Sequence, residues 1–483
     1  MKKRILLLCL SLFILGCSNQ DTRKNIDKEN TLTEKEYLKK YGETLSLEEI
    51  LEINRDRNLD LKIKQLEREI ATLDKKIAFG NFLPSINVLG GYTKLDNNID
   101  INVDTSSISN SLGGLISGIL PPGTPLPSLP NSLSSRLVDE SFYAYGVGVQ
   151  IPIFVPSIWF LYSARQKGEK ISELIENLTT KLTTLQVTGE YYYILALQSE
   201  EKYLLDDLKA AKELERKAKV SLKVDSILPW ELDKASTLVK AKESSLKNNQ
   251  RDLLVAKMNL MKSLNLSPLT NFTLEDIEVG NITPLPPLDE CIFQAISGNE
   301  VLKITSISKD VSKDVKKIAI SNFLPKIILG GGYVNNSNEI FADPSFLYGN
   351  VSGILSIFNG FKNINEYKKA VRQQKIAELK LEKEFLTTVI ETTKAYNNVV
   401  KSIEMCEIAN LNFKAEEGKL RQKKIEKKVD MIDDEEYFKT LASYNQALSL
   451  KKKADFQYEI ALGALNIAMG KEPLKKGEKN NEI

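Results

Sequence analysis

The chain has 483 residues, with 66 Lys and Arg against 64 Asp and Glu, so its formal net charge of +2 gives no basic surface for a nucleic-acid partner. Histidine is absent, which removes His-based triads, imidazole metal ligands and the commonest general base. No G-x-x-x-x-G-K-[ST], H-E-x-x-H or G-x-S-x-G occurs, so no catalytic residue, metal site or cofactor is expected and the chain does not read as an enzyme.

Met1 is followed by Lys2, Lys3 and Arg4, an apolar run from Ile5 to Leu15, and Gly16-Cys17. A basic start before a short apolar run is a secretory signal, here 1–16, too short to span a bilayer as a helix. The ending "ILGC" resembles the lipobox of bacterial lipoproteins, in which Cys17 becomes the acylated first residue of the mature chain. The other reading is ordinary cleavage near Ser18 with Cys17 incidental. Acyl chains stabilise membrane attachment by roughly 0.8 kcal/mol per buried methylene. Residues 17–44 are polar and charged and read as a flexible tether.

The body of the chain states one plan twice. "KKIAFGNFLPSINVLGGY" at 75–92 recurs as "KKIAISNFLPKIILGGGY" at 316–333, with Asn81 and Asn322 separated by 241 residues. The first repeat, 45–270, begins with a helical pattern from Ser46 to Phe82 that Pro84 closes. A strand follows, with Ile86, Val88, Gly90 and Tyr92 on one face. After a long Gly/Pro/Ser loop at 96–140, the second strand "YAYGVGVQIPI" alternates strictly. Tyr143, Tyr145, Val147, Val149, Ile151 and Ile153 point one way, and small or polar residues point the other. This hairpin, 85–153, leads into a helical pattern that runs from about Pro156 to Leu228, in which some 65 helical residues would span roughly 100 Å. A second helix covers about Trp230–Leu264. Helices so long need partner helices along their length, as coiled coils do.

A linker at 271–288 precedes the second repeat, 289–473. Its parts are a helix over Asp289–Phe323, closure at Pro325, and a hairpin at 326–358. Ile327, Leu329, Gly331 and Tyr333 stripe the first of its strands, and Leu347, Val351, Leu355 and Ile357 the second. Helices over Phe361–Lys427 and Glu435–Met469 follow, then a polar tail at 474–483. Near the end of each half "KVDSILPWEL" (223–232) matches "KVDMIDDEEY" (428–437) at a shorter offset of 205, which places 36 extra residues of the first half in the 96–140 loop. Cys9 leaves with the signal. Cys291 and Cys406 stand apart and read as packed small apolar residues, though an exported protein could bridge them.

Four strands cannot close a barrel, since small closed barrels start near eight, and an open edge in lipid would leave backbone groups unpaired at several kcal/mol each. The barrel must be shared between copies of the chain. Two copies would give eight strands and a filled interior; three would give twelve and an open lumen, which the Gly-rich inner face favours.

The duplicated helix–NFLP–strand block, the joint "SIFNGFKNINEYKKA" (356–370) and the ending "YEIALGALNIAMGK" (458–471) resemble TolC-type outer-membrane efflux proteins over about residues 45–473. The resemblance implies a homotrimer with a 12-stranded barrel in the outer membrane and an α-helical tunnel in the periplasm. It implies passive export, with a periplasmic adaptor and an inner-membrane pump as partners, and it fits a lipid anchor at Cys17. Helix–strand junctions fall at Pro84, Pro325, Phe358 and Gly360. The family closes its periplasmic tip with helix-borne carboxylates, which puts the aperture at Asp430, Asp433, Asp434, Glu435 and Glu436. Counting back from Gly470, Glu436 takes the place of one gating Asp, while the position three further on is Lys439 rather than an acid. Val-Gly, usual before this turn in the family, is replaced by Val429-Asp430 and Val224-Asp225. Lys427, Lys428 and Lys439 are candidate partners of the acidic run, with Glu436–Lys439 at i,i+3 spacing. Two other readings stand beside this one: the acidic run as a solvated helix start, and the whole chain as a lipid-anchored structural or adhesive coiled-coil protein.

Overall fold

The computed structural model describes residues 44–474 apart from 118, 120–129, 131, 269–271, 278–281 and 339–342. The signal, the body of the tether and the last nine residues of the polar tail lie outside the described residues. The chain divides into two compact units: one takes in the described residues up to Glu67 with Glu173–Lys303 and those from Lys383 on, and the other Arg68–Ser172 with Ile304–Glu382.

In chain order the elements are β1 (Thr44–Leu45), α1 (Leu47–Arg57), α2 (Leu59–Gly80), β2 (Ser85–Lys94), β3 (Ile99–Asp104), α3 (Ser106–Ser117), β4 (Ser132–Val138) and β5 (Ser141–Phe154). Then come α4 (Pro156–Lys223), α5 (Pro229–Ser263), β6 (Thr273–Leu274), α6 (Leu288–Gly298), α7 (Glu300–Ser321), β7 (Lys326–Asn336), β8 (Ser345–Ile354), α8 (Lys362–Lys428) and α9 (Asp434–Ala468). No helix among the described residues is long and apolar enough to cross a membrane.

Two helices expected to be continuous are broken. The pattern over 46–82 splits at Asn58 and that over 289–323 at Asn299, where ψ of 124° and 125° takes the backbone out of the helical region. Each Asn closes the preceding helix through its own N–H, to Asn54 O and to Ala295 O. Each side-chain oxygen then caps the next helix, Asn58 Oδ1 accepting from Asp60 N and Leu61 N, and Asn299 Oδ1 from Leu302 N. The apolar period continues through both breaks, so it does not betray them.

The core of the first unit gathers where α1, α4 and α5 meet the β1–β6 pair. Leu45, Ile50, Ile53, Tyr191, Leu260 and Leu274 are buried there. Tyr191 donates its hydroxyl to Glu275 O at 2.6 Å, so the polar end of a fully buried ring is satisfied. A second cluster contains Cys291 and Cys406, both free thiols, packed with Val399, Tyr458 and Leu465. Burial pushes the Cys406 thiol up to about 11, with Asp455 adding to the shift.

The second unit carries a four-stranded antiparallel sheet in the order β2-β5-β7-β8, two hairpins side by side. Register puts Val88, Val147, Tyr333 and Leu347 in one row, and Ile151, Leu329 and Val351 in another on the same face. The opposite face carries small and polar residues, such as the row Asn87, Gly148, Gly332 and Tyr348. At Gly332 a Cβ would overlap Val147 O, so only glycine fits that position. The register shifts between Pro152 and Phe154, where a proline has no N–H to give the ladder.

Two expectations for the strands need correction. Leu355 and Ile357 lie beyond β8, because its partner β7 begins at Lys326, opposite Ile354, and offers no backbone further on. The 96–140 segment is more than a loop: β3 and β4 pair antiparallel within it and α3 follows β3. Ile99, Ile101 and Val103 supply the period-two apolar pattern of β3.

Candidate functional site at the helix-hairpin turns

Two turns join the long helices of the first unit, α4 to α5 and α8 to α9, and they share one backbone device. Asp225 and Asp430 sit at φ of 53° and 55°. Ser226 N bonds to Ser221 O and Asp225 N to Leu222 O; Met431 N bonds to Glu426 O and Asp430 N to Lys427 O. This is the double C-cap that glycine ordinarily completes. Aspartate is among the few non-glycine residues that enter this region readily, which explains how Val-Asp stands where Val-Gly was expected.

The predicted aperture residues follow the second turn, and each has a defined place. Asp430, exposed, forms the left-handed cap. Asp433 is the N-cap of α9, its Oδ1 accepting from Glu436 N at 2.9 Å, and its other oxygen meets Lys217 Nζ at 2.5 Å. Asp434 pairs with Lys427 at 2.6 Å. Glu435 pairs with Lys217 at 2.7 Å and with Lys439. Glu436 pairs with Lys423 at 2.6 Å. The expected Glu436–Lys439 pair is therefore not formed. Lys439 takes Glu435 at i,i+4, the better helical geometry for Glu before Lys, and leaves Glu436 to α8.

These pairs set the titration of the site. The Lys217 ammonium beside Asp433, with the backbone N–H of Glu436, holds its carboxyl below the usual carboxylate range. Asp434 holds the Lys427 ammonium above its ordinary value. The acidic run is thus matched by cations from α4, α8 and α9, with Lys217 tying the end of one hairpin to the start of the last helix. Lys217 was not legible in the sequence, since nothing in a chain's spelling pairs residues 216 apart.

The junction residues lie in the second unit. After both α2 and α7 the repeated phrase makes the same three tight turns: Asn81, Phe82 and Leu83 donate to Ala78, Phe79 and Gly80, and Asn322, Phe323 and Leu324 to Ala319, Ile320 and Ser321. Pro84 and Pro325 follow, and β2 and β7 start at the next residue. The strand-to-helix joints differ. α4 begins at Pro156 two residues after β5, whereas Phe358 and Gly360 lie in a seven-residue connection where Gly360 and Phe361 have φ of 65° and 62°. Asn363 Nδ2 donates to Asn322 O across that joint. Cys17, the predicted lipidation site, lies outside the described residues.

Sequence reading also missed a buried ion pair. Lys181 meets Glu300 at 2.5 Å and donates to Gly470 O at 2.7 Å, tying α4, α7 and the end of α9. Gly298 and Gly470 approach so closely beside it that a Cβ on either would overlap the other strand of backbone.

No sequence-family model and no curated protein matches the chain. Solved structures do. The CmeC outer membrane channel of Campylobacter jejuni aligns with a TM-score of 0.68 at 14% identity, covering 89% of this chain and 87% of that one. A membrane protein from Pseudomonas aeruginosa aligns at 0.66 and 14%, covering 88% and 93%. The open-state MtrE outer membrane channel of Neisseria gonorrhoeae aligns at 0.60 and 16%, covering 88% and 89%. The chain has the TolC-type fold of these channels, the fold its resemblance implied.

Proposed function

We propose that the protein is an outer-membrane channel for efflux or type I secretion, built from three copies and passive in itself. The observation that carries this reading is the open four-stranded sheet. β2 and β8 each have one side without a partner strand among the described residues, and one face is lined with exposed apolar side chains such as Val88, Tyr92, Leu347 and Val351. In water such edges and faces invite aggregation. In a bilayer, the edges would pair between copies into a closed barrel and the apolar face would meet lipid. The likeness to the CmeC and MtrE channels supports the same reading.

In this account the helices lie on the periplasmic side, where an adaptor and an inner-membrane pump would engage them, and Cys17 carries the lipid anchor. The Lys217–Asp433–Glu435 contact holds the tip narrow, and breaking it widens the aperture. Single-channel recording of the purified protein in planar bilayers tests the proposal: discrete conductance steps are expected, and a protein that inserts without conducting overturns it.

A further inference from the structure

Residues 105–135 contain no charged side chain, 31 in a row within a chain of 130 charged residues. They lie within the insertion that only the first repeat has. Their described part is ordered: Asp104 Oδ1 accepts from Ser106 N at 2.8 Å to start α3, and Thr105 Oγ1 donates to Pro130 O at 2.6 Å to close the base. α3 presents Ile108, Leu112 and Leu115 at i, i+4 and i+7, exposed by 60, 41 and 67%. Val103 of β3 and Leu133 of β4, cross-strand partners, are more than half exposed as well.

We infer that the α3 helix is covered by its own copies: the α3 helices of neighbouring chains meet over the outer mouth of the barrel and narrow it. The inference rests on the proposed trimeric duct. Its first support is charge. A surface that meets its own copy around a symmetry axis places like residues face to face, where charges repel and uncharged apolar stripes associate. The second is continuity. In the chain α3 and the β3–β4 pair come between β2 and β5, and β2 is the edge strand at which another chain would join. A lipid surface is the weaker occupant, because helices that lie on anionic membranes carry Lys and Arg on their polar face, and α3 carries neither.

The test uses the full-length protein in mild detergent and in bilayers. Wild type is first assayed for trimer mass and conductance. Leu112→Cys is then treated with a short bis-maleimide, with Asn98→Cys as the control position; Cys291 and Cys406 are buried and give little background. Inter-chain dimers and trimers from Leu112→Cys well above the control are expected. Ile108→Asp with Leu115→Asp should raise conductance by about twofold or more, as like charges part the constriction. A conducting trimer with neither crosslinking nor a conductance change overturns this inference and leaves the duct standing. An environment-sensitive dye at position 112 that reports immersion in lipid overturns it in favour of a membrane contact. Wild type that neither trimerises nor conducts overturns both.

Discussion

Asn58 and Asn299, 241 residues apart, hold equivalent places in the two repeats. Each ends one helix, caps the next, and donates its Nδ2 to the last turn of a returning helix, at Ser263 O (3.1 Å) and Ala468 O (3.0 Å). Those two acceptors are themselves 205 apart, the second offset of the repeat. Both side chains therefore hold the first unit together through one polar head each. Replacing either by Ala removes a cap and takes a donor from a half-buried carbonyl, at a cost of about 1–3 kcal/mol. Asn58→Ala and Asn299→Ala should each lower the denaturation midpoint by similar amounts, and the double variant should lose close to the sum, because the sites share no partner.

The left-handed caps give the opposite sign. Asp430→Gly should leave stability unchanged or raise it slightly, since glycine enters positive φ without a Cβ penalty, whereas Asp430→Val should cost about 1–2 kcal/mol. The same contrast is expected at Asp225, measured by thermal unfolding. Equal losses for Gly and Val would show that the aspartate side chain, rather than the backbone, matters there.

How much of this was readable in the sequence differs from feature to feature. The hairpins, the long helices and the NFLP junctions were legible because each rests on local chemistry: period-two alternation, uninterrupted helical patterns, and a proline shortly after a helix end. The turns at Asp225 and Asp430 were located by the repeated "KVD", yet their conformation was hidden, since aspartate does not announce positive φ as glycine does. The breaks at Asn58 and Asn299 were missed because the apolar period runs on through them. The cations that match the acidic run were half found. Lys427 and Lys439 are near in sequence, while Lys217 is brought in by tertiary packing alone, as Lys181 is to Glu300.

At the tip, acid should loosen the Lys217 contact. The Asp433 carboxyl is held below its ordinary value of 3.8, so its charged form is favoured in the folded chain. That stabilisation is complete above about pH 4 and is lost as pH falls through the lowered value. Conductance through reconstituted channels should therefore be flat from neutral pH down to about 4 and rise below it. Lys217→Met should raise conductance at neutral pH and remove the acid-induced step; an unchanged step in that variant would place the responsible group elsewhere.

Neutralising Asp433→Asn, Asp434→Asn and Glu436→Gln together removes three negative charges per chain and leaves Lys217, Lys423 and Lys427 without those partners. Cation selectivity and block by multivalent cations should both fall, as expected for a pore that loses its carboxylate rings. Folding yield should hardly change, because exposed pairs contribute little to stability. Wild-type selectivity in the triple variant would make the acidic run a solvated helix start and move the gate away from it.

For the anchor, Cys17→Ala should abolish metabolic palmitate labelling while part of the protein still reaches the membrane, since the proposed barrel would bury apolar surface in lipid independently of acyl chains. Labelling that persists would contradict the lipobox reading.

In the proposed trimer, three open four-stranded sheets close one barrel. End-on electron micrographs of the detergent-purified oligomer should show three-fold particles around a central hole; solid particles or a population of single chains would contradict that closure.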